Sequence, residues 1–295
     1  LLFAFDSEIK YTKLAIECAR RIKKYLNIPV TLVTDKSVDT DMFDNQVIVD
    51  RGKDTNRRFF VDRQAATTWY NFGRNAALDL SPYDRTLLVD TDYMLNSSDL
   101  LPLLESSQPF LCHRHVRSIH EPKPRLQTFG TKNTHMWWAT VVVFDRNSQF
   151  TQDVFDVWKM VEQNYQHYAS LFGFNSKQYR NDFALSIALL VCNGNIHPQQ
   201  CEIPWPMANV QYEADKGYLI VAGTADSADY ITCAETLVKS LKYWHPDAKV
   251  CLVTDQENYQ NSLFDFIKPF PHGNTGGWTT DWQVYYASPF HETIK

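Results

Sequence analysis

The stretch RTLLVDTDYMLN, Arg85 to Asn96, decides how the chain is read. Thr86, Leu87, Leu88 and Val89 make an apolar run of the kind a buried strand needs, and it ends on two aspartates, Asp90 and Asp92. Residues i and i+2 of a strand point to the same side, so the two carboxylates are expected to converge at or just past the strand end. Two carboxylates that close repel, and each raises the other's pKa, a cost that a cation between them removes. Hard divalent cations, Mg²⁺ or Mn²⁺, take oxygen ligands and often keep waters and substrate phosphates as the remainder. The doublet is therefore read as a metal clamp for a diphosphate. The plain alternative is an aspartate capping the next helix. Asn96 or Asp99 already offers that, and neither explains a pair behind Leu-Leu-Val.

Working outward, the segments before the doublet alternate. LLFAF (1–5) reads as a strand, and Tyr11, Leu14, Ala15, Cys18, Ile22, Tyr25 and Leu26 recur at helical spacing. PVTLVTD (29–35) and DNQVIVD (44–50) read as strands, and residues 62–80 as a helix stopped by Ser81-Pro82. Beyond the doublet, FLCHRHV (110–116) and WWATVVVFD (137–145) read as strands. Residues 153–172 read as one long helix, and YRNDFALSIALLVCNG as a helix closed by Gly194. This order predicts an α/β fold with a Rossmann-like, mostly parallel sheet flanked by helices. Ligands of such sheets bind beyond the carboxyl ends of the strands, where Asp6, Asp35 and Asp90 are expected.

The chain then starts again. KVCLVTD (249–255) matches PVTLVTD, and LIVAGTADSADYITCAETLVKSLKYW matches the opening strand and helix in type. LFDF echoes MFDN, and SPFHET (288–293) echoes SPYDRT (81–86), at offsets from about 207 to 221. Four landmarks in order predict two domains of one fold, residues 1–213 and 214–295, too long to be solenoid repeats. The second copy stops at Lys295, before the position equivalent to Asp90. A longer natural version is therefore expected to continue with a short apolar strand, the place for a second Asp-x-Asp. A chain that opens in a strand without an initiator Met is likewise expected to be a fragment.

Composition bounds the function classes. The 295 residues carry 29 Lys and Arg against 34 Asp and Glu, a formal net charge of −5. That balance, without a basic stripe interleaved with aromatics, disfavours nucleic acid as partner. Residues 1–150 hold 20 basic against 18 acidic groups and residues 151–295 hold 9 against 16, so a phosphate-bearing ligand is sought in the first half. The six cysteines form no C-x-x-C pair and read as reduced thiols of a cytoplasmic protein. No run approaches the roughly 18 apolar residues of a transmembrane segment, and no signal peptide is visible.

SPYDRTLLVDTDYML, preceded by a strand, a helix and LVTD, resembles the nucleotide-binding half of GT-A fold glycosyltransferases, the nucleotide-diphospho-sugar transferase superfamily. Their hallmark is an Asp-x-Asp after an apolar strand. The resemblance covers residues 1–96 closely and extends loosely to about 210. It implies a nucleotide-sugar donor, Mn²⁺ or Mg²⁺, and transfer of a sugar to a glycan, lipid or protein acceptor. Carried over, it implies Asp90 on the ribose or metal and Asp92 on the metal. Ala4, Phe5, Asp6 and Asp35 would flank the nucleoside. Arg57, Arg58 and Arg63 are candidates for the diphosphate, because guanidinium forks suit phosphate oxygens. Asp182, in Arg-Asn-Asp at a helix start, is the candidate to hold or deprotonate an acceptor hydroxyl, against a simple role at the helix N-terminus. His197 is the candidate late metal ligand, although the late His-Gly-rich signature is missing. His113 and His115 alternate as zinc ligands might, without an evident third, and Trp137 or Trp138 could stack on a sugar.

Two other classes stay open on sequence. A phosphatase of the haloacid dehalogenase type also carries Asp-x-Asp after an apolar strand. That strand usually comes first, however, with Thr or Val two residues on, where this chain has Met94. A catalytically inactive tandem module that binds a glycan or a protein partner is the third.

Overall fold

A computed structural model describes all residues except 8, 53–55, 61–64, 71–72, 117–124, 208–212, 225–227, 257, 272, 275–283 and 285. It divides into two compact units, Leu1–Asn209 and Val210–Lys295, both mixed α/β.

In the first unit, β1 (Leu2–Phe3), β2 (Thr31–Thr34) and β3 (Asn45–Ile48) form a parallel sheet in the order β1-β2-β3. The helix α1 (Tyr11–Leu26) links the first two and buries Leu14, Ala15, Cys18, Ala19, Ile22 and Leu26. It ends where Asn27 turns left-handed, at φ 53°. β6 (Arg85–Val89), which carries the doublet at its end, follows β4 (Asn56–Phe60), β5 (Ala65–Trp69) and the short α2 (Ala77–Leu80). Leu1 N–H donates to Leu87 O (2.7 Å) and Val89 N–H to Leu1 O (3.2 Å). These bonds bracket Leu88 as a parallel pair would. β6 therefore joins the three-stranded sheet on the side away from β2, and the order reverses between β1 and β6.

After α3 (Leu101–Glu105) come β7 (Phe110–His113), the two-residue pair β8 (His115–Val116) with β9 (Arg125–Leu126), and β10 (Thr128–Phe129) with β11 (Thr134–His135). β12 (Trp138–Asp145) then lies between β6 and β7, antiparallel to both, with an irregular register between Trp138 and Val142. The helices α4 (Gln149–Gln163), α5 (Tyr165–Phe172) and α6 (Asn181–Cys192) complete the unit.

Side chains alternate across this layer as the pleat requires. Leu88, Phe110, Val142 and Phe144 pack with Val154, Phe155, Trp158 and Leu185 of α4 and α6. Leu2, Leu32, Leu87, Val89, Val141 and Val143 pack with Ala15, Cys18 and Ile22 of α1 and with Leu103.

Two expectations are corrected. Residues 65–69 are not helical: Thr67, Thr68 and Trp69 are strand formers, and β5 pairs antiparallel with β4, Arg57 opposite Thr68. Only residues 74–80 are helical, a 3₁₀ turn (Arg74–Ala76) running into α2. The long helix 153–172 is two helices that begin at Gln149 and break at Asn164, φ −116° and ψ 32°. In the layer β3-β2-β1-β6-β12-β7 of the first unit the strands run one way except β12, which is antiparallel to both neighbours.

Among the described residues the sheet of the second unit is wholly parallel. β13 (Ala214–Ala222), α7 (Tyr230–Trp244), β14 (Val250–Thr254), β15 (Phe266–Pro269) and β16 (Phe290–Ile294) form a sheet of order β15-β14-β13-β16. That repeats the order β3-β2-β1-β6. The register repeats too: Leu2 faces Leu32, and Ile220 faces Leu252. So do the side-chain ties. Asp44 Oδ2 accepts from Val30 N–H (2.7 Å) and lies 3.3 Å from Lys23 Nζ; Asp265 Oδ2 accepts from Val250 N–H and Lys242 Nζ, both at 3.0 Å. The hydroxyls of Ser81 and Thr86 are 2.6 Å apart, as are those of Ser288 and Thr293.

Candidate active site in the first unit

The crevice where the strand order reverses, beyond the ends of β1 and β6, is the place such sheets offer a ligand. Asp90 is the first residue past β6. Its N–H donates to Thr140 O (2.9 Å) and its carbonyl accepts from Tyr93 N–H (3.0 Å), which fixes the turn that carries the doublet. Its Oδ1 accepts from Arg74 Nη1. Arg74 is largely buried, and its Nε and Nη2 have no partner. A guanidinium in that state is a ready donor to an anion.

Asp92 has an exposed side chain but is crowded by protein. Loss of solvation first, and then the Asp90 charge, push its carboxyl up to about 6. Because water still reaches it, part of that push is screened. Burial, followed by the charges of Asp92 and Asp90, also raises the Tyr11 hydroxyl. Burial lifts the Cys18 thiol to about 12, and both aspartates add to it. The doublet thus makes a local excess of negative charge: Arg74 pairs with Asp90, and its charge offsets only part of the push on Asp92.

Asp182 stands in the first turn of α6 and takes part in this field. Its carboxyl is raised, mainly by burial, with the Asp90 charge adding to the shift. The irregular part of β12 sits between the two. Ala139 N–H, freed from the ladder, donates to Asp182 Oδ1 (3.0 Å), while Thr140 O holds Asp90. Arg180 Nη2 lies 3.3 Å from Asp182 Oδ2.

The flanking aspartates have structural partners. Asp6 Oδ1 accepts from Thr12 N–H (2.9 Å) and Thr12 Oγ1 (3.0 Å), so it ties down the start of α1. Asp6→Ala is expected to cost about 1 kcal/mol, as loss of a helix cap does, measured by urea unfolding; no change would remove this role. Asp35 Oδ2 is 3.0 Å from Arg51 Nη1, which also donates to Asp6 O (3.2 Å) and stacks 3.9 Å over Tyr70. Ala4 and Phe5 are buried beneath these groups.

Sequence reasoning missed Arg74 and Arg51. The only signal was a single basic residue breaking an apolar segment in Phe72-Gly-Arg-Asn-Ala-Ala, and another after DNQVIVD. Of the arginines it chose, Arg57 and Arg58 lie on β4, and Arg63 is outside the described residues.

His197 is placed elsewhere, past the far end of α6, whose 12 residues span about 18 Å. It stacks 4.5 Å from His135, and the charges it senses are those of His135 and Arg114. Together with Lys132, Phe172 and Leu190 the two rings line a cleft of about 370 Å³. His113 is buried, its Nδ1 3.1 Å from Trp205 O, and burial lowers it to about 4. His115 pairs instead with Glu202, and Trp137 is core.

Among the described residues no three His, Cys, Asp or Glu side chains group as a full metal shell. Two carboxylates with excess charge still fit Mg²⁺ or Mn²⁺, which commonly take one or two carboxylates and fill the rest with water and phosphate. No helix among the described residues is long and apolar enough to cross a membrane. Compared with protein-family models and with curated proteins, the chain matches none.

Proposed function

We propose that the first unit is a metal-dependent glycosyltransferase of the GT-A kind, moving a sugar from a nucleoside-diphosphate donor to a glycan, lipid or protein acceptor. The observation that carries this reading is the charge balance at the end of β6. Asp90 and Asp92 leave negative charge uncompensated, and beside them Arg74 keeps two buried donors without a partner.

Asp90 and Asp92 would hold Mn²⁺ or Mg²⁺, whose chemistry is to neutralise charge on the diphosphate leaving group. Arg74 turns its free donors to the diphosphate oxygens and keeps Asp90 oriented. Asp35 and Arg51, at the ends of β2 and β3, flank the nucleoside. Asp182, whose carboxyl burial raises above its ordinary value, orients the acceptor hydroxyl and accepts its proton if the transfer inverts configuration. Six free thiols suit a reducing, cytoplasmic compartment.

The reading is confined to the first unit. In the second, Thr224 stands at the position of Asp6. Asp255, at that of Asp35, is already engaged by Thr224 N–H (2.8 Å) and Asn274 Nδ2 (2.9 Å).

A thermal-shift screen of nucleoside diphosphates with and without Mn²⁺ tests the reading. One nucleotide plus metal is expected to stabilise the fold by about 2.7 kcal/mol at a hundredfold excess over Kd, and either alone by far less. No shift with any nucleotide and metal would count against a donor site. Metal-dependent release of phosphate from a simple phosphate ester, abolished by Asp90→Asn, would favour a phosphatase instead.

A further inference from the structure

The two units contain their own control experiment. Position for position, Tyr11, Leu14, Cys18, Ile22 and Tyr25 of α1 correspond to Tyr230, Cys233, Leu237, Leu241 and Trp244 of α7, an offset of 219. The inner face is buried in both: Ala15 and Ala19 in one, Ala234 and Val238 in the other. The flank differs. Leu14, Cys18 and Ile22 are at most 3% exposed, whereas Leu237 is 55% exposed, Trp244 73%, and Cys233 is open.

What covers the flank in the first unit is the segment that follows β6. Leu95, Leu100 and Leu103 share a cluster with Ala15, Cys18 and Ile22, and Tyr93 packs beside them. Arg21 Nη1 donates to Leu95 O (3.1 Å), and Tyr93 O lies 3.9 Å from Cys18 Sγ. The α7 stripe keeps the same spacing and the same apolar character, with larger side chains at the positions of Cys18 and Tyr25. Contiguous apolar surface of this kind marks an interaction site.

We propose that the outer face of α7 is a docking surface for a polypeptide segment with the chemistry of Tyr93–Leu103, the segment that covers the equivalent face of α1. Its chemistry is an aromatic residue and a leucine on a turn, followed by a helical turn bearing two more leucines. Packing it would bury Leu237 and Trp244 and close Cys233 to solvent. This role is independent of the proposed chemistry, because it concerns a helix of the second unit.

Cys233 provides the readout, since Cys18, Cys112, Cys201 and Cys251 are buried. The full 295-residue chain is treated with a thiol reagent, and labelling of Cys233 is followed by mass spectrometry. The probe is a synthetic peptide with the sequence of residues 92–105, DYMLNSSDLLPLLE. Cys233 is expected to label rapidly in the chain alone. Peptide at about 1 mM, the scale at which an untethered segment binds, is expected to slow it at least about fivefold. A peptide with Leu95, Leu100 and Leu103 replaced by Ser should not protect, and Leu237→Asp in the chain should abolish protection. Unchanged labelling with the parent peptide overturns the proposal. So does protection in the chain alone. If a dimer split by Leu237→Asp accounts for that protection, the face belongs to a second copy. If the protected chain is monomeric, the face is already covered from within.

Discussion

Asp92→Asn will melt at a higher temperature than the parent above pH 6 while losing at least about 100-fold in metal-dependent turnover. The stability half follows from linkage. The folded carboxyl titrates near 6 and the unfolded one near its ordinary value of about 3.9. Between those values the folded chain binds more protons than the unfolded chain, so stability falls as pH rises through the window. The penalty is complete above pH 6 and absent below about pH 4. Asparagine removes it. Asp92 is exposed, so screening holds the gain to about 1 kcal/mol or less, a rise of roughly 2 °C for a unit of this size. Melting curves in chelator at pH 4, 5, 6 and 7.5 check this. A variant less stable than the parent at pH 7.5 would mean that Asp92 supports the fold and is not held there at a cost.

Asp90→Ala is expected to go the other way in stability and the same way in activity. Asp90 is the partner of Arg74, whose guanidinium is almost enclosed. Removing the carboxylate leaves a buried charge uncompensated, which is expensive because the desolvation of the guanidinium is no longer offset. Since Asp90 itself is one-third exposed, the loss is set at about 2 kcal/mol, a fall of roughly 4–8 °C. The double variant Asp90→Ala with Arg74→Met should recover most of that stability and none of the activity. Equal melting temperatures for Asp90→Ala and the parent would show that Arg74 is satisfied by water and that the pair holds nothing together.

Burial decides what was legible in the chain. Leu87-Leu88-Val89 and Leu32-Val33 are enclosed on both faces, so each reads as a continuous apolar run, and the α1 stripe is one-sided, so it reads as period 3.6. Strand direction leaves no such mark. WWATVVVFD has the same pattern whether it runs with or against β6, and its antiparallel placement comes from the path of the chain through β7 to β12. Residues 65–69 failed for a related reason. Ala65-Ala66 favours a helix, and the pairing with β4 that overrides this is a tertiary fact. The apolar stretch after Phe150 predicted a helix well but not its break at Asn164, which depends on how α5 turns back to pack Tyr165 against Tyr179.

At the site, the doublet announced itself because carboxylates behind Leu-Leu-Val have no bland explanation. Arg74 did not, because its meaning lies in a contact across 16 positions. Asp6 looked like Asp35 in sequence, and only the bonds to Thr12 separate a helix tie from a group that faces Arg51.

The central claim, that a divalent cation bridges Asp90 and Asp92 to the diphosphate of a bound donor, is tested most directly by diffraction from crystals grown with Mn²⁺ and a nucleoside diphosphate. Anomalous scattering recorded near the manganese edge should give one strong peak within about 2.3 Å of a carboxylate oxygen from the doublet and of a phosphate oxygen. Ordered nucleotide without that peak, or manganese bound at any other place in the first unit, would contradict the account.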